Sequence, residues 1–151
     1  MIGLISDTHG LLRPEALAAL QGASQIIHAG DAGAPEVLAT LRAIAPVSAV
    51  RGNVDRGEWA QALPISRVIE VDGLLLYCLH DLGDLDLDPA AAGLAAVISG
   101  HSHQPLIERR GGVLFINPGS AGPRRFSLPI TLVRLHLASS QLEAELVTLL
   151  A

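Results

Sequence analysis

Between Ile2 and Asp55, three short apolar runs alternate with two helix-like stretches, and this alternation constrains the fold more than any other feature. Ile2 to Ile5, Gln25 to Ala29 and Val47 to Val50 read as buried strands. Arg13-Pro14 opens the first helix, with Pro14 in a tolerated first-turn position, Leu17 and Leu20 on one face and Gly22 closing it. The second helix is expected from about Pro35 to Ile44. A β-α-β-α-β order implies parallel strands with right-handed crossovers. Ligands of such sheets bind at the carboxyl ends of the strands, where Asp7, His9, Asp31 and Asn53 fall.

The pattern then changes to hairpins. Gly57 to Pro64 reads as a linking segment holding Trp59. Arg67 to Val71 and Leu74 to Leu79 flank Asp72-Gly73, a strong two-residue hairpin signal, and the second strand ends in His80. The acidic stretch Asp81 to Asp88 lacks the terminal Glu of an EF-hand and reads as a solvated loop, with Asp88 an N-cap ahead of Pro89. Ala96 to Ser99 is a further buried strand, ending in Gly100-His101-Ser102-His103. Leu106 to Arg109 pairs with Val113 to Asn117 around Gly111-Gly112, and Asn117-Pro-Gly-Ser120 turns the chain. Ile130 to Leu137 and Leu142 to Leu149 form a last antiparallel pair around Ser139-Ser140. With no internal repeat or low-complexity linker, the 151 residues are expected to form one domain, 1–151, of two mixed sheets with helices outside.

Composition excludes several functions. The longest apolar stretch, Leu74 to Leu79, is too short to cross a bilayer, and no basic segment precedes a signal-type hydrophobic core. A soluble cytoplasmic protein that does not bind membranes is expected. The formal charge is −5 and every cation is Arg, so non-specific nucleic-acid binding is not expected. Without Lys there is neither P-loop nor Schiff-base chemistry. The lone Cys78, inside an apolar run, reads as a buried small hydrophobe.

What remains is chemistry at strand ends. Asp7 and His9 stand at i and i+2, which on extended backbone turns both side chains to one side. Asp31, Asn53, His80 and the pair His101 and His103 occupy equivalent places after later strands. Carboxylate, amide and imidazole aimed from strand ends are transition-metal donors, and their recurrence is what singles them out. His28 reads as a hydrogen-bonded core residue and His136 as surface.

The order Asp-x-His, Gly-Asp, Gly-Asn-x-Asp, His, Gly-His-x-His resembles the calcineurin-like metallophosphoesterase superfamily. The short length and the Asn117-Pro-Gly-Ser120 turn resemble its small prokaryotic phosphodiesterase branch, whose fold a retromer subunit shares. The resemblance runs from Ile2 to about Arg125. It implies a four-layer α/β/β/α sandwich of two mixed β-sheets flanked by helices, with a two-metal site between the sheet ends. It further implies one metal held by Asp7, His9, Asp31 and His103, and a second by Asp31, Asn53, His80 and His101, with Asp31 bridging. Asp31, Asn53 and His101 are the catalytic residues on this reading. Two divalent ions against two carboxylates leave the site about +2, and a bridging hydroxide nucleophile still leaves about +1, suited to an anionic phosphate. Mixed N/O ligation without thiolate fits Mn first, then Fe, Ni, Co or Zn, rather than Ca or a structural zinc.

The implied activity is metal-dependent phosphodiester hydrolysis of a small phosphodiester or nucleotide-like substrate. A nucleotide or pyrophosphate hydrolase on the same site, and a catalytically silent protein-interaction scaffold of the same fold, are the alternatives. A homo-oligomer is compatible with the sequence. Two positions depart from the family pattern. Val54 stands where many members carry His, and Asp81-Leu82 follows His80 where the branch usually has Gly-His, so two candidate general acids are missing. Arg124 and Arg125 read as surface charges rather than substrate contacts.

Overall fold

Alternation along the central strand sets the layering, because successive side chains of a strand point to opposite faces. In the computed structural model, which describes residues 1–151, Leu4 packs into a core between two sheets while its neighbour Ile5 packs under helices. Both residues are fully buried.

The first sheet has the order β10-β9-β1-β2-β3. Strand β1 (Ile2–Ile5) lies parallel to β2 (Gln25–His28), which lies parallel to β3 (Val47–Ala49). On the other side of β1, β9 (Ile130–Ala138) and β10 (Gln141–Leu150) add an antiparallel pair. Helices α1 (Pro14–Ala19) and α2 (Pro35–Arg42) are the crossovers, each with Pro in its first turn. Their buried faces meet Ile5, Ile26 and Leu132.

The second sheet has the order β4-β5-β6-β8-β7. Here β4 (Ser66–Val71) and β5 (Leu74–Leu79) form the Asp72-Gly73 hairpin, while β7 (Leu106–Arg110) and β8 (Val113–Asn117) form another. Strand β6 (Leu94–Ile98) runs parallel to both β5 and β8. The two sheets face each other across Leu4, Ile27, Leu76, Ile98, Ile116 and Val133. Cys78 is in this core, and burial pushes its thiol up to about 12, which leaves it inert as a nucleophile.

Three local expectations need correction. The segment Gly57 to Pro64 is not only a link, because Glu58–Gln61 forms a short helix, α3, whose Ala60 is buried. Its periodicity is one turn long, too short to register in the sequence. Strand β6 starts at Leu94, two residues earlier than Ala96, because Leu94 packs on the outer face of the second sheet. That outer face has no full helix. Leu79, Val97, Val113 and Phe115 are covered by Leu82 and Leu85 from the acidic loop, which contains a single 3-10 turn at Leu82–Asp84. No helix of the molecule is long and apolar enough to cross a membrane.

Candidate metal centre

The carboxyl ends of the parallel strands in both sheets converge at one edge of the sandwich. The loops after β1, β2 and β3 bring Asp7, His9, Asp31 and Asn53, and those after β5 and β6 bring His80, His101 and His103. At the centre lies Asp7 Oδ1, 3.8 Å from His9 Nε2, 3.9 Å from His80 Nε2 and 3.5 Å from His103 Nε2. Asp31 Oδ2 is 3.1 Å from His80 Nε2 and 3.8 Å from His9 Nε2. Asn53 Oδ1 is 3.0 Å from His80 Nε2 and 3.2 Å from His101 Nδ1. Every residue singled out as a ligand in the sequence reaches this cluster.

The convergence of Asp7 and His9 has a different origin from the extended backbone expected. Asp7 has φ 55°, His9 48°, Asp31 58°, His101 73° and His103 63°. All are left-handed, a conformation that side chains with a Cβ adopt rarely, at a cost of about 1 kcal/mol or more each. Strain gathered on the donors themselves is the mark of a functional cluster. Tight loop approach helps to hold it. A Cβ at Gly100 would stand 2.6 Å from Asp7 Oδ2 and collide with Ser6 Oγ, and one at Gly52 would collide with Asp31.

Fixed hydrogen bonds orient the donors. Ser6 Oγ donates to Asp7 Oδ2 (2.7 Å) and the His101 amide donates to the same oxygen (3.0 Å). Oδ1 of Asp7 is thereby left fully buried with no hydrogen-bond partner, facing the imidazoles. A buried, unpartnered carboxylate oxygen is costly unless a cation completes it. The Val54 amide donates to Asp31 Oδ1 (3.0 Å), which turns Oδ2 inward. His80 Nδ1 donates to the Ala29 carbonyl (2.7 Å), the partner that leaves Nε2 of a neutral imidazole free as a ligand.

The electrostatics follow from these contacts. Burial raises the Asp7 carboxyl above its ordinary value, in spite of the Ser6 hydroxyl, His80 and the His101 amide. Burial would also raise Asp31, but hydrogen bonds from His80 and the Val54 amide, with the charges of His80 and His9, bring it below the usual range. For His80, burial acts downward and is outweighed by Asp31, the Ala29 carbonyl and Asp7. His103 is lowered to about 4, by burial first and then by Arg125 and His9, so its ring is neutral, as a ligand must be.

Several residues that shape the centre were not singled out in the sequence. Asp55 accepts three backbone N–H bonds, from Asp31 (3.0 Å), Gly33 (2.9 Å) and Gly52 (2.8 Å), and so ties the loop after β2 to the loop after β3. Its place in Gly-Asn-x-Asp was the available signal. Asn117 donates to the Gly100 carbonyl (2.9 Å) and Ser102 Oγ (3.1 Å), which fixes the His101–His103 loop. His28 is a buried hydrogen-bonded core residue, as expected. Its Nδ1 accepts from the Gly30 amide, so Nε2 donates to Thr8 Oγ1 (3.0 Å) between Asp7 and His9. His136 lies outside the centre, near Glu145. Arg124 donates to the Leu128 and Ala151 carbonyls, whereas Arg125 lies close enough to His103 to depress its pKa.

A profile of the calcineurin-like phosphoesterase superfamily domain matches residues 1–140. The chain belongs to that superfamily. A probable metallophosphoesterase of Methanothermobacter thermautotrophicus is 35% identical to it, over 97% of this chain and 91% of the relative. Among solved structures, an archaeal phosphodiesterase superposes with a TM-score of 0.79 at 24% identity, over 97% of this chain and 99% of that one. Vps29 of Entamoeba histolytica complexed with zinc superposes with a TM-score of 0.76 at 20% identity, covering 98% of each chain. As a member of a metal-dependent phosphoesterase superfamily, the chain carries its candidate metal donors where the strand ends meet.

Proposed function

We propose that this calcineurin-like phosphoesterase is a metal-dependent phosphodiesterase with two divalent transition-metal ions, manganese first among them. The observation that carries the reading is Asp7 Oδ1, buried and unpartnered among three imidazoles. On this reading Asp7, His9, Asp31 and His103 hold one ion, and Asp31, Asn53, His80 and His101 the other. Asp31 suits the bridging position because its Oδ2 faces both His80 and His9. Bound there, the ions supply an activated water and positive charge for the phosphoryl oxygens. The likeness to an archaeal phosphodiesterase favours the diester as substrate.

The chain's own residues divide the remaining work. His80, held through Nδ1 by Ala29, keeps a fixed ring orientation. Asn53 and His101 are exposed and meet the substrate from the open side. In the overall reaction the water oxygen bonds to phosphorus, an ester P–O bond breaks, and the alcohol departs with a proton from solvent. Neither Val54 nor Leu82 can supply that proton, so the rate follows the acidity of the departing alcohol.

The likeness to Vps29 favours a second reading, a protein-interaction scaffold. The intact donor set speaks for catalysis, since a scaffold needs neither Asn53 nor His101. The test is hydrolysis of bis(p-nitrophenyl) phosphate and p-nitrophenyl phosphate by Mn²⁺-loaded protein. The diester is expected to be the better substrate, and faster hydrolysis of the monoester would overturn the assignment.

A further inference from the structure

A cavity of about 390 Å³ opens directly onto the metal centre, with Asn53, His80 and His101 among its lining residues. The acidic loop, which reads from sequence as plain solvated surface, forms part of this cavity. Asp81, Asp84 and Asp86 all line it, together with Tyr77 and one arginine, Arg51. The carboxylates are not neutralised by the protein. An imidazole, His101, has its Nε2 3.8 Å from Asp81 Oδ2, and no arginine stands within ion-pair distance of any of the three. Asp81 Oδ1 accepts from the Gly83 amide (2.9 Å).

Three carboxylates against one guanidinium repel a second phosphate or an oligonucleotide strand and attract a cation. A tyrosine ring beside carboxylates is also a suitable surface for an ammonium group. We infer that this cavity selects phosphodiesters in which one alcohol carries a positive charge, an amino alcohol, over diesters whose alcohol is neutral or anionic. The inference rests on the phosphodiesterase reading of the same site and narrows its substrate class. It disfavours pyrophosphates, whose second phosphate would face this wall.

A matched series of product-like monoesters tests it by calorimetry on the Mn²⁺-loaded protein: phosphoethanolamine, ethyl phosphate and 2-sulfoethyl phosphate. Phosphoethanolamine is expected to bind at least about tenfold more tightly than 2-sulfoethyl phosphate, with ethyl phosphate between them. Asp84 and Asp86 are both exposed, so the double variant Asp84→Asn/Asp86→Asn should fold, and it should narrow that span to about twofold. Equal affinities, tightest binding of the sulfonate, or no binding of any probe would overturn the inference. Hydrolysis of bis(p-nitrophenyl) phosphate by the same sample separates the two claims. Turnover with a flat affinity series removes only the cavity assignment, whereas no turnover removes the phosphodiesterase reading.

Discussion

Asp7, Asp31, His80 and His103 are buried, whereas Asn53 and His101 lie open to solvent, although all of them leave parallel strands at the same edge of the sandwich. Three of the buried donors are held by hydrogen bonds, whereas His103 Nδ1 is buried without a partner. Ser6 and the His101 amide hold Asp7, the Val54 amide holds Asp31 and the Ala29 carbonyl holds His80. The open donors have only side-chain neighbours, with Asn53 Oδ1 3.0 Å from His80 Nε2 and 3.2 Å from His101 Nδ1. Asp7, Asp31 and His80 are thus positioned by the protein itself, and on the two-ion reading proposed above the open donors are set by ion and substrate together. Preorganised donors couple metal binding to folding, and loose ones leave room at the reacting phosphorus.

The largest effect expected is at Asp31, the buried donor proposed to serve both ions. Asp31→Asn should lower kcat/KM for an aryl diester about a thousandfold, ~4 kcal/mol of barrier, and more than His80→Ala does. Two ions per chain and a near-native rate in Asp31→Asn would break the bridging assignment. Next comes Asp55→Ala, which leaves three loop amides without their acceptor. A loss of about 3 kcal/mol in urea unfolding is expected, together with weaker metal affinity. An unchanged midpoint would mean that the buried half does not depend on this tie.

The pH dependence of stability sharpens the same contrast through His28. Burial, with a smaller effect from His80, holds this imidazole at about 3 against an ordinary value of 6.5. The unfolded chain therefore binds the extra proton between those values, so His28 contributes fully above pH 6.5 and its contribution fades as pH falls. His28→Gln lacks this dependence. The stability gap between parent and variant should shrink by about 2 kcal/mol from pH 7 to pH 5, read from urea unfolding at both values. A constant gap would show that His28 is not held neutral. The smallest effect belongs to the open half, where Val54 is 41% exposed. Val54→His should speed alkyl diesters by a few-fold, about 1 kcal/mol, and aryl diesters less. A uniform loss with both metals retained would contradict the missing-acid argument.

How far the sequence could be read varies along the chain. The β-α-β-α-β order and the Asp72-Gly73 hairpin were legible because periodicity and turn chemistry are local. The candidate metal donors are legible because each follows a strand end. The left-handed backbone of Asp7 and His9 was not, since in most chains the same residue types stay extended. Asp55 is visible in the Gly-Asn-x-Asp motif, but its role is not, because its partners are amides of loops that meet only after folding. The acidic loop reads as solvated because nothing local says that Leu82 and Leu85 pin it over the second sheet. Its carboxylates reach the cavity only through that packing.

If the strand-end donors hold two ions on which phosphodiester hydrolysis depends, turnover must rise and fall with bound metal. The most direct measurement is metal content by mass spectrometry alongside turnover of bis(p-nitrophenyl) phosphate, before chelation, after it, and after stepwise return of Mn²⁺. Turnover is expected to be lost with the metal and to recover with saturation at two ions per chain. Full turnover in protein shown to be free of metal would contradict it.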